Sequence, residues 1–198
     1  MGKLAGVILA AGLSSRMGKF KPLLEIGGKS MARRVAELMR GTGASPVIVI
    51  TGHRREELEA HLAGDGVRFV HNPDYASTQQ LESLQLTLKE LPGDCERVLV
   101  SPADIPLVRQ DTVARLLEAE GDFIRPRCGG RTGHSVVLAA GLIPGLLGYD
   151  GPGGLKGAIQ RSGCAVRDVV VDDPGVLMDN DTPADFRRTL ARFEEGQA

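Results

Sequence analysis

Short β-rich runs alternate with helix-patterned stretches up to about residue 120, and this alternation restricts the fold more than any other feature. Leu4–Leu9 reads as a first strand, and Met31, Val35, Leu38 and Met39 then fall on one helical face that stops at Gly41 and Gly43. PVIVIT is a continuous apolar run of the kind buried on both faces of a parallel sheet. A charged helix over Arg54–Leu62, a strand VRFVH and a helix through Leu81, Leu84, Leu88 and Leu91 follow. The strand RVLVS, the loop PADIPL and a helix marked by Val113, Leu116 and Leu117 complete the series. A β-α-β-α order of this kind predicts an α/β fold with a doubly wound, mostly parallel sheet.

Beyond residue 120 the pattern loosens. DFIRPR and HSVVLAA read as strands flanking the turn CGGRTG, and GYDGPGGLKG leads into a short helix. AVRDVVVDD and GVLMD precede a last helix with Phe186, Leu190 and Phe193 on one face. No repeat, low-complexity tract or linker divides the chain, so one domain over residues 1–198 is expected, with halves 1–120 and 121–198. The 198 residues, 42% of them hydrophobic, suffice for one sizeable core.

With 24 Lys and Arg against 25 Asp and Glu, no lopsided charge points to a nucleic acid or a membrane surface as partner. Any basic site is therefore local. Cys95, Cys128 and Cys164 are far apart and form no CxxC, so no zinc site or disulfide framework is expected. The start lacks a signal-peptide pattern and SVVLAAGLIPGLLG is too short to span a bilayer, which leads to the expectation of a cytoplasmic protein.

The stretch LAAGLSSRMGKFK, Leu9 to Lys21, is the candidate ligand loop. Ala10, Ala11, Gly12, Ser14 and Ser15 are small enough for backbone N–H groups to approach a ligand, and Arg16, Lys19 and Lys21 add charge. The loop follows the carboxyl end of a strand, where open α/β sheets bind ligands. Its only glycines, Gly12 and Gly18, exclude the GxGxxG dinucleotide fingerprint and are one residue too far apart for a P-loop. LLEIGGKS ends correctly for a P-loop but carries Leu23 where the first glycine belongs. A solvated basic turn is the simpler alternative.

Two acidic segments stand out. Asp104, held between Pro102 and Pro106 beyond a buried strand, reads either as a turn-former or as a ligand for Mg²⁺, which takes few protein carboxylates. In LMDNDTPADF, Thr182 is the expected N-cap, Pro183 the first helical residue and Asp185 the N3 residue. Asp179 and Asp181 are then acids near a helix start, a position acids favour in any case. Gln80 and Ser83 read as nucleotide contacts or as ordinary polar residues of a helix start, and His134 as a site residue or a core histidine.

LAAGLSSRMG, continuing through Lys21 to PLLEIGGKSM, resembles the signature of nucleotidyltransferases, most closely the molybdenum cofactor cytidylyltransferase and guanylyltransferase family. The likeness extends over nearly the whole chain and implies a Rossmann-like, glycosyltransferase-A-like nucleotidyltransferase fold with a small β-rich acceptor-side insertion. It implies that the loop from Leu9 through Ser15 wraps base and triphosphate, that Arg16 and Lys21 neutralise phosphate, and that Gln80 and Ser83 touch the nucleotide. PAD-x-P implies Asp104, and D-x-D-T-P implies Asp181, as ligands of Mg²⁺, with Mn²⁺ as an alternative. Asp179 is implied only as a neighbour of these ligands. LAAG in place of LAGG resembles the cytidylyl branch, since a side chain at Ala11 leaves less room for a purine. RTGHSVVL resembles a GHP element near a pterin acceptor, which implies acceptor contacts from Gly133 and His134. Ser135 stands where that element has proline, and GLKG, Gly154–Gly157, where the family often has GDxG.

The implied reaction is attack of the phosphate of a molybdopterin-type acceptor on the α-phosphorus of CTP, with release of pyrophosphate. A phosphate monoester is already ionised near pH 7, so no general base is required. Arg16, Lys21 and Asp104 are then the catalytic set, acting by charge and orientation. Transfer to a sugar phosphate or another phosphorylated acceptor, and a noncatalytic carrier handing the cofactor to a molybdoenzyme, are the competing readings.

Overall fold

The computed structural model describes residues 3–196. Strands β1 (Leu4–Leu9), β2 (Glu25–Ile26) and β3 (Lys29–Ser30) precede helix α1 (Met31–Gly41), strand β4 (Val47–Thr51), helix α2 (Arg55–His61) and strand β5 (Arg68–His71). Helix α3 (Gln80–Leu88), strand β6 (Arg97–Pro102) and helix α4 (Gln110–Glu118) follow. The remainder comprises β7 (Phe123–Cys128), β8 (Arg131–Thr132), β9 (Val136–Ala139), α5 (Ile143–Leu147), α6 (Gly154–Ser162), β10 (Val166–Val170) and α7 (Pro183–Glu195).

The main sheet runs in the order β10-β7-β9-β6-β1-β4-β5, with β8 paired to β7, while β2 and β3 form a separate hairpin. Pairings β1–β4, β1–β6, β4–β5 and β7–β10 are parallel, and β9 is antiparallel to both of its neighbours. The mostly parallel α/β sheet read from the sequence is thus present. The β-rich segment after residue 120 adds its strands to that same sheet.

Alternation of side chains along each strand feeds two cores. Ile8, Val49, Leu99 and Ile124 face Val35 of α1, Leu58 of α2 and Leu116 of α4. Val7, Val98, Phe123 and Leu138 face Leu84 of α3, Leu146 of α5 and Ile159 of α6. Both faces are covered, which is why PVIVIT shows no polar alternation: all five residues of β4 are buried.

Two helices depart from what their apolar spacing suggests. The leucine spacing extends the third helix to Leu91, but α3 stops at Leu88 ahead of Pro92 and Gly93, because proline disfavours a continued helix before it. Phe186, Leu190 and Phe193 of α7 are only half-buried, and Thr189 is that helix's buried residue. Phe193 lies under the Arg34 guanidinium, 4.4 Å from ring centroid to Cζ, at the margin of the core.

The register positions the site. β1 and β6 run parallel with Leu9 opposite Pro102, so the loops that follow them leave the sheet side by side. The chain winds outward from β1 through β4 to β5, then returns to β6 on the other flank of β1. That reversal makes the carboxyl end of β1 the place where a crevice opens.

Candidate functional site

The loop after β1 is anchored at both ends. The Ala10 N–H donates to Ile50 O at 3.1 Å, the Ala103 N–H to Leu9 O at 3.0 Å, and the His53 N–H to Ala11 O at 3.3 Å. Ser14 adopts a left-handed conformation with φ 55°, and its Oγ accepts from the Lys21 N–H at 3.2 Å, closing the loop on itself. Met17 and Phe20 are buried beneath it, while Ser15, Arg16 and Lys19 are exposed. This is not a free solvated turn: its apolar residues fix the path along which its cations are presented.

Lys21 is the centre of the charge arrangement. Its Nζ donates to Asp104 Oδ2 at 3.0 Å and to Asp181 Oδ1 at 2.7 Å, and Arg16 Nη2 lies 2.8 Å from Asp181 Oδ2. Three segments separated by up to 160 positions in sequence therefore meet at one ammonium. Burial pulls the Lys21 pKa down, but the hydrogen bonds and charges of Asp181 and Asp104 outweigh it, leaving it above the ordinary lysine value. The hydrogen bond from Lys21 holds Asp181 below the usual carboxylate range, with Arg16 adding to the effect.

The late acidic segment is set by its capping residues. Thr182 and Asp185 form a reciprocal capping box at the start of α7: the Thr182 N–H donates to Asp185 Oδ2 at 2.8 Å, and the Asp185 N–H to Thr182 Oγ1 at 3.3 Å. Asp185 is consumed by this role, and Asp179 and Asp181 are free of it, as the sequence suggests. Between them Asn180 is wholly buried and donates from Nδ2 to Asp104 O at 2.8 Å and Met178 O at 3.1 Å. It ties the backbone of one acidic segment to the other. Sequence reasoning passed over Asn180 because it attended to the acids; its place between two aspartates was the available signal.

Asp179 sits apart from Lys21, with Oδ1 3.5 Å from His134 Nε2. Burial raises its pKa, Asp104 and Asp181 push the same way, and His134 opposes them. The His134 side chain is 44% exposed and lies at the cavity wall, which removes the core-histidine alternative. Gly133 precedes it where a Cβ would stand 2.5 Å from Val176 Cγ2, so only glycine lets this segment pass. Ser135 has φ 49°, and its buried Oγ donates to Ser101 Oγ at 2.9 Å. Proline, confined near φ −65°, does not fit here, so the Ser135 departure is a change of backbone path as well as of side chain.

Three cavities meet around Leu9 and Gln80, which line all of them. One of 170 Å³ is bounded by Ala11, Gly12, Tyr75 and Ser83. A second, of 130 Å³, contains Ala10, Ser14, Lys21 and Asp104. Gly12 borders both, and a Cβ there would meet no atom within 4 Å, so it would project into open cavity. Ser83 is buried and its Oγ accepts from Asn72 Nδ2 at 2.9 Å, an internal role beside its place on the wall. The third cavity, 640 Å³, lies between α6 and the outer half of the sheet and holds Gly133 and His134. Tyr75, Arg125 and Lys156 also reach these walls; only the fold brings them there.

Among the described residues no three His, Cys, Asp or Glu side chains gather into a metal-ligating cluster. None of the described helices is long and apolar enough to cross a membrane. What the geometry offers is two carboxylates bridged by one cation, beside a backbone loop at a sheet switch point. These are the features of an α/β nucleotide-binding transferase.

Comparison with known proteins agrees. The chain belongs to the MobA-like NTP transferase domain family, whose model matches residues 6–166. It is 38% identical over 122 residues to the bifunctional protein GlmU of Francisella philomiragia, covering 60% of this chain and 26% of that protein. The chain thus spans about a quarter of the length of that curated relative. A solved nucleotidyl transferase from Methanothermobacter thermautotroptrophicus superposes with TM-score 0.86 at 25% identity, covering 98% of this chain and 99% of the other. The manganese complex of Rv0371C from Mycobacterium tuberculosis gives TM-score 0.79 at 23% identity over 96% of this chain and 98% of its own, and shares the fold.

Proposed function

We propose that this chain, as one domain over residues 1–198, transfers CMP from CTP to the phosphate of a molybdopterin-type cofactor and releases pyrophosphate. The observation that carries the transfer chemistry is the Lys21 ammonium shared by Asp104 and Asp181 beside the Gly12 loop. Two carboxylates that one cation already bridges suit a divalent ion, and Mg²⁺ or Mn²⁺ would be held by Asp104 and Asp181 with phosphate oxygens as further ligands. Such an ion, when bound, supplies charge for the triphosphate and the departing pyrophosphate.

The chain's own groups do the rest. Arg16 and Lys21 offset the repulsion between the incoming phosphate and the triphosphate, and the loop from Leu9 through Ser15 offers backbone N–H groups to phosphate oxygens. Asn180 keeps the backbones of the two acidic segments in register, so the carboxylates stay paired. An ionised phosphate monoester attacks without a base, and none of these roles requires proton transfer. Choice of cytosine is supported by the Ala11 methyl on the wall of the small cavity that also contains Gln80 and Ser83. Choice of acceptor is supported by Gly133 and His134 on the larger cavity, which opens toward the same Gln80. We place the reaction in the cytoplasm, where nucleoside triphosphates are spent.

Pyrophosphate release with each of the four ribonucleoside triphosphates, with and without molybdopterin, tests the reading. Release that needs both CTP and molybdopterin is expected. Release only with a sugar phosphate or another phosphorylated acceptor would reject the acceptor and keep the chemistry. Tight molybdopterin binding with no release under any condition would replace the enzyme by a carrier.

A further inference from the structure

The 640 Å³ cavity is larger than a phosphate and its immediate substituent need, and its wall has an uneven composition. No aspartate or glutamate lines it, although the chain carries 25 acidic residues. Two cations do, Arg125 from β7 and Lys156 from α6. The rest of the wall is predominantly apolar, with Phe123, Val136, Leu155 and Ile159.

Arg125 is held in place from behind. Its Nε donates to Asp168 Oδ1 at 2.6 Å, its register partner on β10, and Arg127 shares the other carboxylate oxygen at 3.2 Å. Two guanidiniums on one carboxylate leave a net positive charge there, and Asp168 does not reach the cavity wall. Lys156 is exposed on the first turn of α6, and no carboxylate of the described residues pairs with it.

The position of this pair is fixed by the sheet. β9 lies between β6 and β7, so at about 4.8 Å per strand the Arg125 backbone stands roughly 10 Å to the side of β6, and the register sets it level with Val100, about 13 Å along the strand before Asp104. We propose that Arg125 and Lys156 form a second anion subsite, and that the acceptor is an elongated molecule whose body packs on the apolar wall and which carries a second anionic group roughly 10–16 Å from its reacting phosphate. A single-ring sugar monophosphate carries no such group. Asp168 acts as a positioning residue that holds the Arg125 fork at the wall. The inference rests on the nucleotidyl-transfer reading only for which end of the acceptor reacts.

The test is direct binding, which needs no turnover. Calorimetric titration of the full chain with 1,6-hexanediol bisphosphate and with hexyl monophosphate reads the contribution of the second anion. The bisphosphate is expected to bind at least about tenfold more tightly, one well-placed charge-assisted contact being worth that much. Lys156→Gln and Arg125→Gln should each cut the advantage to about twofold or less, with unchanged CTP affinity. Lys156 is exposed on a helix, so its variant remains informative if Arg125→Gln fails to fold. Equal binding of the two probes to the native chain, or an advantage that survives both substitutions, would overturn the subsite. A native chain that binds the bisphosphate preferentially but binds no CTP would overturn the transfer reading and leave the subsite standing.

Discussion

The two flanks of the crevice are built on different principles. On the β1–β6 side the charges are already paired: Lys21 is 13% exposed and hydrogen-bonded to both Asp104 and Asp181, and the cavities are 130 and 170 Å³. On the β7–β10 side the cavity is 640 Å³ and mostly apolar, Arg125 is paired with Asp168, and Lys156 has no carboxylate partner among the described residues. One flank is arranged around a small, highly charged group whose position is fixed in advance. The other has room for a shaped body and a few points of attachment. A transferase with a common donor and a variable acceptor needs that division, because chemistry demands preorganised charge while selectivity demands volume.

The largest expected effect falls on the first flank. Asp104→Ala should lower turnover by at least ~10²-fold with the fold intact by circular dichroism, the scale for losing one major electrostatic element. A loss confined to acceptor KM would erase the contrast between the flanks. Next comes the seam between them. Gly133→Ala places a Cβ 2.5 Å from Val176, and overpacking of this kind costs about 1–3 kcal/mol, read as a lower midpoint in denaturant. An unchanged midpoint would show that the seam yields freely.

The smallest effect belongs to the outer flank. The hydrogen bond from Arg125 depresses the Asp168 pKa, with Arg127 assisting, so the stabilisation it supplies is present above the ordinary carboxylate pKa of about 3.9 and lost as pH falls through the lower folded value. Asp168→Asn should therefore cost at most about 1 kcal/mol at neutral pH, and the gap from native should close on acidification below about pH 4. A gap independent of pH would mean that Asp168 acts through packing alone.

This contrast also explains what the sequence could reveal. β1, α1, β4 and α4 carry strong periodic or continuous apolar patterns, and they form as those patterns predict. Lys21, Arg16, Asp104 and Asp181 sit in short local motifs, so a resemblance found them, and the fold then joined them at one ammonium. Tyr75, Arg125 and Lys156 have no local signature, and Asn180 has only its place between two aspartates. Their place at the site follows from strand order and from α6 crossing the sheet, which are long-range facts. Ser135 stood out as a missing proline, yet only its φ of 49° explains why the proline is absent.

Attack at the α-phosphorus is what separates nucleotidyl transfer by this crevice from transfer of the terminal phosphoryl group. Phosphorus NMR of the full chain incubated with CTP, Mg²⁺ and molybdopterin tests it most directly. Free pyrophosphate and a new phosphoanhydride joining CMP to the acceptor are expected in equal amounts, both lost in Asp104→Ala. Formation of CDP with a phosphorylated acceptor, or of no product under these conditions or with any other triphosphate and phosphorylated acceptor, would contradict it.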